Sequence, residues 1–313
     1  MAALIAANVV WATAYALSKV LMDGTWAHIS PLALSFWRLL AASLILLPLA
    51  WRQRPRRPLT GREWASLGAI GIVGSAAAML LQFAGTQLSL ATNAAVITST
   101  ETMFNCLLAA LFLGERLDRR TLVGVLVALA GVLLLSHLDW RRLDLLSNRY
   151  AVGNGLLILA MLCYASYAIV GKFAVETLPP MVVTGYPFAI ATLVLGLICA
   201  RWDPAGLTGI TAWSGLAWCG VGYLGVFVTA LTYLLWNAVL VDSQVTTMSV
   251  TLYVQPVVGA LIGWLWLGER LSPSVALGAA LVLVAMALVT IRPRRAGTVR
   301  EEEDGAASLS ASR

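Results

Sequence analysis

Between Ala3 and Ile291 the chain is a succession of apolar runs separated by short charged or turn-rich stretches. Each run approaches the ~20 residues an α-helix needs to cross a hydrocarbon core of ~30 Å. In lipid, every backbone N–H and C=O must be satisfied inside the protein, which leaves helices and closed barrels as spanning structures. These runs are continuous rather than alternating, so they predict helices. The spans read 3–22, 31–51, 64–84, 93–113, 121–137, 151–171, 181–200, 215–240, 246–267 and 274–291. Asp242-Ser243-Gln244 separates the eighth from the ninth. The expected fold class is an all-α integral membrane protein with ten transmembrane helices.

Composition agrees with that class. Charged residues make up 12% of the chain and hydrophobic ones 60%, whereas soluble domains carry about 25% charged residues. The net charge of +6 is a topology signal. Fourteen Arg and Lys lie in even-numbered loops and the C-terminal tail, against five in the opposite loops. Cytoplasmic loops accumulate Lys and Arg, so both termini are placed in the cytoplasm, and no nucleic-acid partner is needed. The Arg-rich, Lys-poor usage suggests a high-GC bacterium and therefore its inner (plasma) membrane. The N-terminus lacks a basic n-region and reads as a retained first helix. The tail, 293–313, contains the acidic run Glu301 to Asp304 and is expected to be disordered.

Several chemistries find no support in the residues. Cys106, Cys163, Cys199 and Cys219 are scattered without CxxC spacing, and His28 and His137 are isolated in connections, so no metal site is expected. Gly220 to Gly225 matches GxGxxG inside an apolar run with no preceding strand, which excludes a dinucleotide site. No Walker motif is present, and no cofactor is expected.

The chain repeats itself. Leu111-Phe-Leu-Gly-Glu-Arg-Leu117 returns as Leu265-Trp-Leu-Gly-Glu-Arg-Leu271, an offset of 154. Trp11 to Lys19 resembles Tyr164 to Lys172, an offset of 153, and Lys19 and Lys172 are the sole lysines. The halves are 1–137 and 150–292, each with five spans. An odd number of crossings inverts the second half relative to the first. Two inverted five-helix repeats are the plan of secondary transporters, which bind substrate near the midplane at the repeat interface.

Trp11 and Lys19, Phe36-Trp37-Arg38, and the two Leu-Gly-Glu-Arg-Leu endings resemble the drug/metabolite transporter superfamily, EamA-like branch. The resemblance covers roughly 3–291. It implies ten helices in two inverted repeats around a central cavity, and export of small metabolites such as amino acids, or drugs. The family usually has a Pro thirteen residues before the Gly-Glu glutamate. Pro256 keeps it in the second half, where it should kink the ninth helix, and Thr102 replaces it in the first.

Ionisable groups within a span are costly and usually face a cavity or each other. Arg38 and Glu101 both fall near the bilayer centre, and Lys19 lies nearer the outer end of the first helix. Arg38 or Lys19 is a candidate ligand for a substrate carboxylate, and Glu101 for an amine or a coupling proton. An Arg38–Glu101 ion pair is the alternative. Polar and aromatic groups on helix faces supply the other candidate substrate-binding residues: Trp11, Tyr15, Gln82, Tyr164, Tyr233, Trp236, Asn237 and Gln255. The expected function is secondary transport of a small molecule, as a monomer or homodimer in the bilayer. An intramembrane enzyme acting on lipid would need a nucleophile–base pair, and a sensor or assembly subunit an appended domain; neither is evident.

Overall fold

The computed structural model describes residues 2–22, 24, 26–89, 97–115, 118–135, 148–258, 261 and 273–290. Among them every regular element is helical: α1 (Ala2–Met22), α2 (Pro31–Gln53), α3 (Gly61–Leu88), α4 (Glu101–Phe112), α5 (Arg119–Leu135), α6 (Asn148–Val175), α7 (Pro180–Trp202), α8 (Gly215–Leu240), α9 (Val245–Val258) and α10 (Pro273–Thr290). Five of these, α2, α3, α6, α7 and α8, are long and apolar enough to cross a membrane, and α1, α4, α9 and α10 contain shorter apolar stretches. Their outer surface suits lipid. Leu44, Leu111, Leu193 and Leu197 are 65–69% exposed, a surface that water would drive to aggregate.

Local chemistry sets the helix ends. Pro31 and Pro180 occupy first-turn positions, where a missing N–H costs nothing. Ser30 Oγ accepts the Ala33 N–H at 3.0 Å. Thr60 and Glu63 form a reciprocal capping box, so α3 starts three residues earlier than the apolar run suggests. Arg57 adds a two-pronged ion pair to Glu63, at 2.6 and 2.8 Å. Gly114, at φ +65°, ends α4, and the Glu115 N–H returns to the Ala109 carbonyl at 3.2 Å. That left-handed turn favours glycine and explains the Gly of Leu-Gly-Glu-Arg.

Two helices depart from α geometry at equivalent places. Ile70–Ala77 in α3 and Val226–Leu231 in α8 are π-helical. In each, a hydroxyl bonds the carbonyl five residues back: Ser75 to Ile70 at 2.9 Å and Thr229 to Leu224 at 2.8 Å. Ser75 and Thr229 are separated by 154 residues, the offset of the sequence repeat.

Packing repeats as well. Helix α2 lies against α7, and α5 against α10. The α3–α6, α3–α7 and α4–α6 contacts have counterparts in α8–α1, α8–α2 and α9–α1. Small residues make the closest approaches. A Cβ on Gly71 would lie 2.6 Å from the Pro187 carbonyl oxygen. One on its repeat mate Gly225 would meet Ala41 Cβ and lie 2.9 Å from the Arg38 carbonyl oxygen. The largest apolar cluster is built mainly from α1, α2, α3, α6, α7 and α8, and a second joins α4, α5, α9 and α10.

Candidate functional site

Helices α1, α4, α6, α8 and α9 meet around a small chamber of about 30 Å³. Its walls are Trp11, Glu101, Tyr164, Tyr167, Ala168, Tyr233, Trp236 and Leu252. Such a space holds about one or two waters. Trp11 and Tyr164 are repeat mates and bring one ring each from α1 and α6. Tyr233 is the hub. Its ring centroid lies 5.3 Å from Trp11, 5.1 Å from Tyr167 and 5.1 Å from Phe188. Trp11 and Trp236 are 5.8 Å apart.

A break in the chain delivers Glu101. The Thr100 N–H and hydroxyl both bond the Ile97 carbonyl, at 3.0 and 2.6 Å, and α4 begins at Glu101. Hydroxyl-rich Thr98-Ser99-Thr100 competes for backbone acceptors here, so no proline is needed. In the second half the matching irregularity is a 3-10 turn, Val250–Tyr253, just before Pro256. Pro256 cannot donate to the Leu252 carbonyl, which explains its position. Glu101 makes no hydrogen bond or ion pair among the described residues. The Arg38–Glu101 pair does not form: the ion pair found among the described residues is Arg57–Glu63.

The π-helical segment of α8 holds two other candidates. Trp11 Nε1 donates to the Val228 carbonyl at 2.9 Å. Buried Arg38 donates through Nε to Thr229 Oγ1 at 2.6 Å. Further groups form a layer behind the walls. Tyr164 donates its hydroxyl to Gln82 Oε1 at 2.9 Å. Asn237 Nδ2 donates to the Tyr167 hydroxyl at 2.7 Å and to Thr184 Oγ1 at 2.9 Å. Gln255 Nε2 donates to Asn8 Oδ1 at 2.9 Å. Arg38, Gln82, Asn237 and Gln255 therefore lie outside the chamber lining. The side chains of Tyr15 and Lys19 lie outside the described residues.

Sequence reading missed Tyr167, three residues after Tyr164 and so on the same face of α6, and Leu252. It also missed Asn105 as an unpaired group. One turn beyond Glu101, Asn105 is fully buried with neither side-chain atom hydrogen-bonded.

A larger hollow of about 480 Å³ opens where the α4–α5 turn meets the start of α9. Glu115 joins these elements. Its two carboxylate oxygens accept the Val245 and Thr246 N–H groups at 2.8 and 3.0 Å, capping α9. Carboxylates favour helix N-termini through the unpaired N–H groups and the dipole. Glu115→Ala should destabilise the protein by about 1–2 kcal/mol, read as a lower midpoint of thermal unfolding in detergent. Lys172 treats the C-terminal end of α8 similarly, donating from Nζ to the carbonyls of Leu240, Val241 and Ser243 at 2.8, 3.1 and 3.0 Å. A cation at a helix C-terminus is stabilising, so this lysine caps a helix.

Comparison with known families matches residues 1–137 and 151–291 to the EamA-like transporter family. A protein of Archaeoglobus fulgidus named as an uncharacterized transporter is 25% identical, covering 90% of this chain and 94% of its own. A protein of Streptantibioticus cattleyicolor, named a "probable terminal-alkyne amino-acid exporter", is 26% identical over 93% of each chain. An uncharacterized protein of Pseudomonas aeruginosa is 32% identical over 84% of this chain and 85% of its own. One solved crystal structure superimposes with a TM-score of 0.72 at 20% identity, covering 91% of this chain and 98% of its own. That likeness is one of fold. The chain is a multi-pass membrane protein and belongs to the EamA-like transporter family.

Proposed function

We propose that the protein exports a small metabolite, an amino acid or related amine, across the inner membrane by alternating access. The chamber carries this reading: an ionisable carboxyl and a group of aromatic rings come together where helices of both halves meet. The relative named as an amino-acid exporter supports the direction and the substrate class. Matched π-helical segments and matched helix contacts support two repeats of five spanning helices. The loop charges support inversion of the second repeat and cytoplasmic termini.

An unpaired buried group also favours a second conformation. A buried polar group without a partner costs about 1–3 kcal/mol, and Asn105 carries both a donor and an acceptor in that state. Hydrating them in an open form would recover that cost. Glu101 is the group assigned to proton coupling.

Two measurements test the reading. Inside-out vesicles or proteoliposomes with the protein should accumulate labelled amino acids or amines beyond protein-free controls. Absence of flux for every metabolite in a broad panel would defeat the transport proposal. Single cysteines at Arg119 and Thr208 should be labelled by impermeant reagents from opposite sides. Labelling from the same side would refute the orientation.

A further inference from the structure

We infer that the chamber recognises an organic ammonium group, so an amine with an apolar body binds better than the amino acid bearing the same side chain. This rests on the transport reading above and narrows its substrate class.

Among the described residues the lining contains one charged group, Glu101, and it is acidic. It makes no hydrogen bond or ion pair among the described residues. Five of the other wall residues are aromatic: Trp11, Tyr164, Tyr167, Tyr233 and Trp236. Three of these rings have their polar edges already committed to protein. The Trp11 N–H is given to the Val228 carbonyl and the Tyr164 hydroxyl to Gln82, while the Tyr167 hydroxyl accepts from Asn237. What these three leave for an occupant is carbon and π surface. Aromatic faces are the negative pole of the ring quadrupole and attract cations. A carboxylate there would meet another carboxyl group and would lose hydration without gaining donors from these three rings, which is expensive in a low-dielectric site. Arg38 does not line the chamber, and its Nε is engaged by Thr229. An ammonium group, by contrast, gains a carboxylate and several ring faces together.

The test uses three probes sharing one body: 2-phenylethylamine, phenylalanine and 3-phenylpropanoate. They carry an ammonium, both charges, and a carboxylate respectively. Binding to the full-length protein in nanodiscs is followed by tryptophan emission excited at a wavelength the probes do not absorb. Trp11 and Trp236 border the chamber and supply the signal. The amine should bind about 10-fold or more tightly than phenylalanine, and phenylpropanoate should not compete. Glu101→Gln should weaken the amine by about 10-fold or more, and Tyr233→Leu by several-fold. The wild-type probe ranking needs no variant, so a folding defect in either substitution leaves the inference testable. Equal or tighter binding of phenylalanine, or any competition by phenylpropanoate, would overturn it. Silence from all three would overturn it as well, and flux of an unrelated metabolite in proteoliposomes would still leave the transport reading standing.

Discussion

Gly225→Val should remove almost all folded protein from the membrane. A Cβ at this position runs into Ala41 Cβ and the Arg38 carbonyl, both fixed by the backbone of α2. Overpacking against side chains costs about 1–3 kcal/mol. Here neither obstacle can rotate away, so the cost falls at the upper end or beyond. It is set against a total stability of about 5–15 kcal/mol. The collision would also push α2 from α8 where Arg38 meets Thr229, endangering a second buried contact. Gly71→Val should behave alike, because its Cβ meets the Pro187 carbonyl oxygen at 2.6 Å. Gly222→Ala is the control: nothing lies within 4 Å of a Cβ there, and it is in the same helix. Yield of monodisperse protein in detergent and its unfolding midpoint are the readouts. If Gly225→Val equals Gly222→Ala in both, the helix contact is not as tight as described.

The second large effect belongs to Glu101→Gln. Glutamine keeps the shape of the side chain but cannot carry charge or exchange a proton. Without a buried charge to meet, a cationic occupant should lose on the order of 100-fold in transport rate at limiting substrate. A pH gradient imposed across proteoliposomes should no longer change the residual flux. The groups facing Glu101 across the chamber are tyrosines and tryptophans from α1, α6 and α8, so no described second carboxyl takes over. Persistence of the pH response in the variant would remove Glu101 from the coupling step.

Much of this architecture can be read from the chain itself because lipid imposes a length rule. Apolar runs bounded by Ser30-Pro31 and by Pro179-Pro180 become α2 and α7 with ends within about two residues, since proline and a capping hydroxyl fix where a helix begins. Trp11, Glu101, Tyr164, Tyr233 and Trp236 are recoverable as wall residues because polar or aromatic groups in mid-span have no use facing lipid. The same rule cannot rank depth. Gln82 and Gln255 obey it as fully as Glu101, yet they act as partners for Tyr164 and Asn8. Nor does proline content settle where helices break. Thr102 in place of proline left open whether α4 breaks as α9 should, and the hydroxyls of Thr98 to Thr100 accompany a break there. The spans 93–113 and 246–267 extend into stretches outside the described residues, as does the second Leu-Gly-Glu-Arg ending.

The π-helical segment of α8 means that this helix keeps two angular registers, one on either side of Val226–Leu231. An inserted residue turns everything after it by about 100° relative to an uninterrupted α-helix. Tyr233, Trp236 and Asn237 owe their direction to that offset. Deleting one residue between Val226 and Leu231 would therefore preserve the hydropathy and nearly the whole length of the span while swinging the aromatic wall toward a neighbouring helix or the lipid. Such a shortened protein would insert normally and bind nothing.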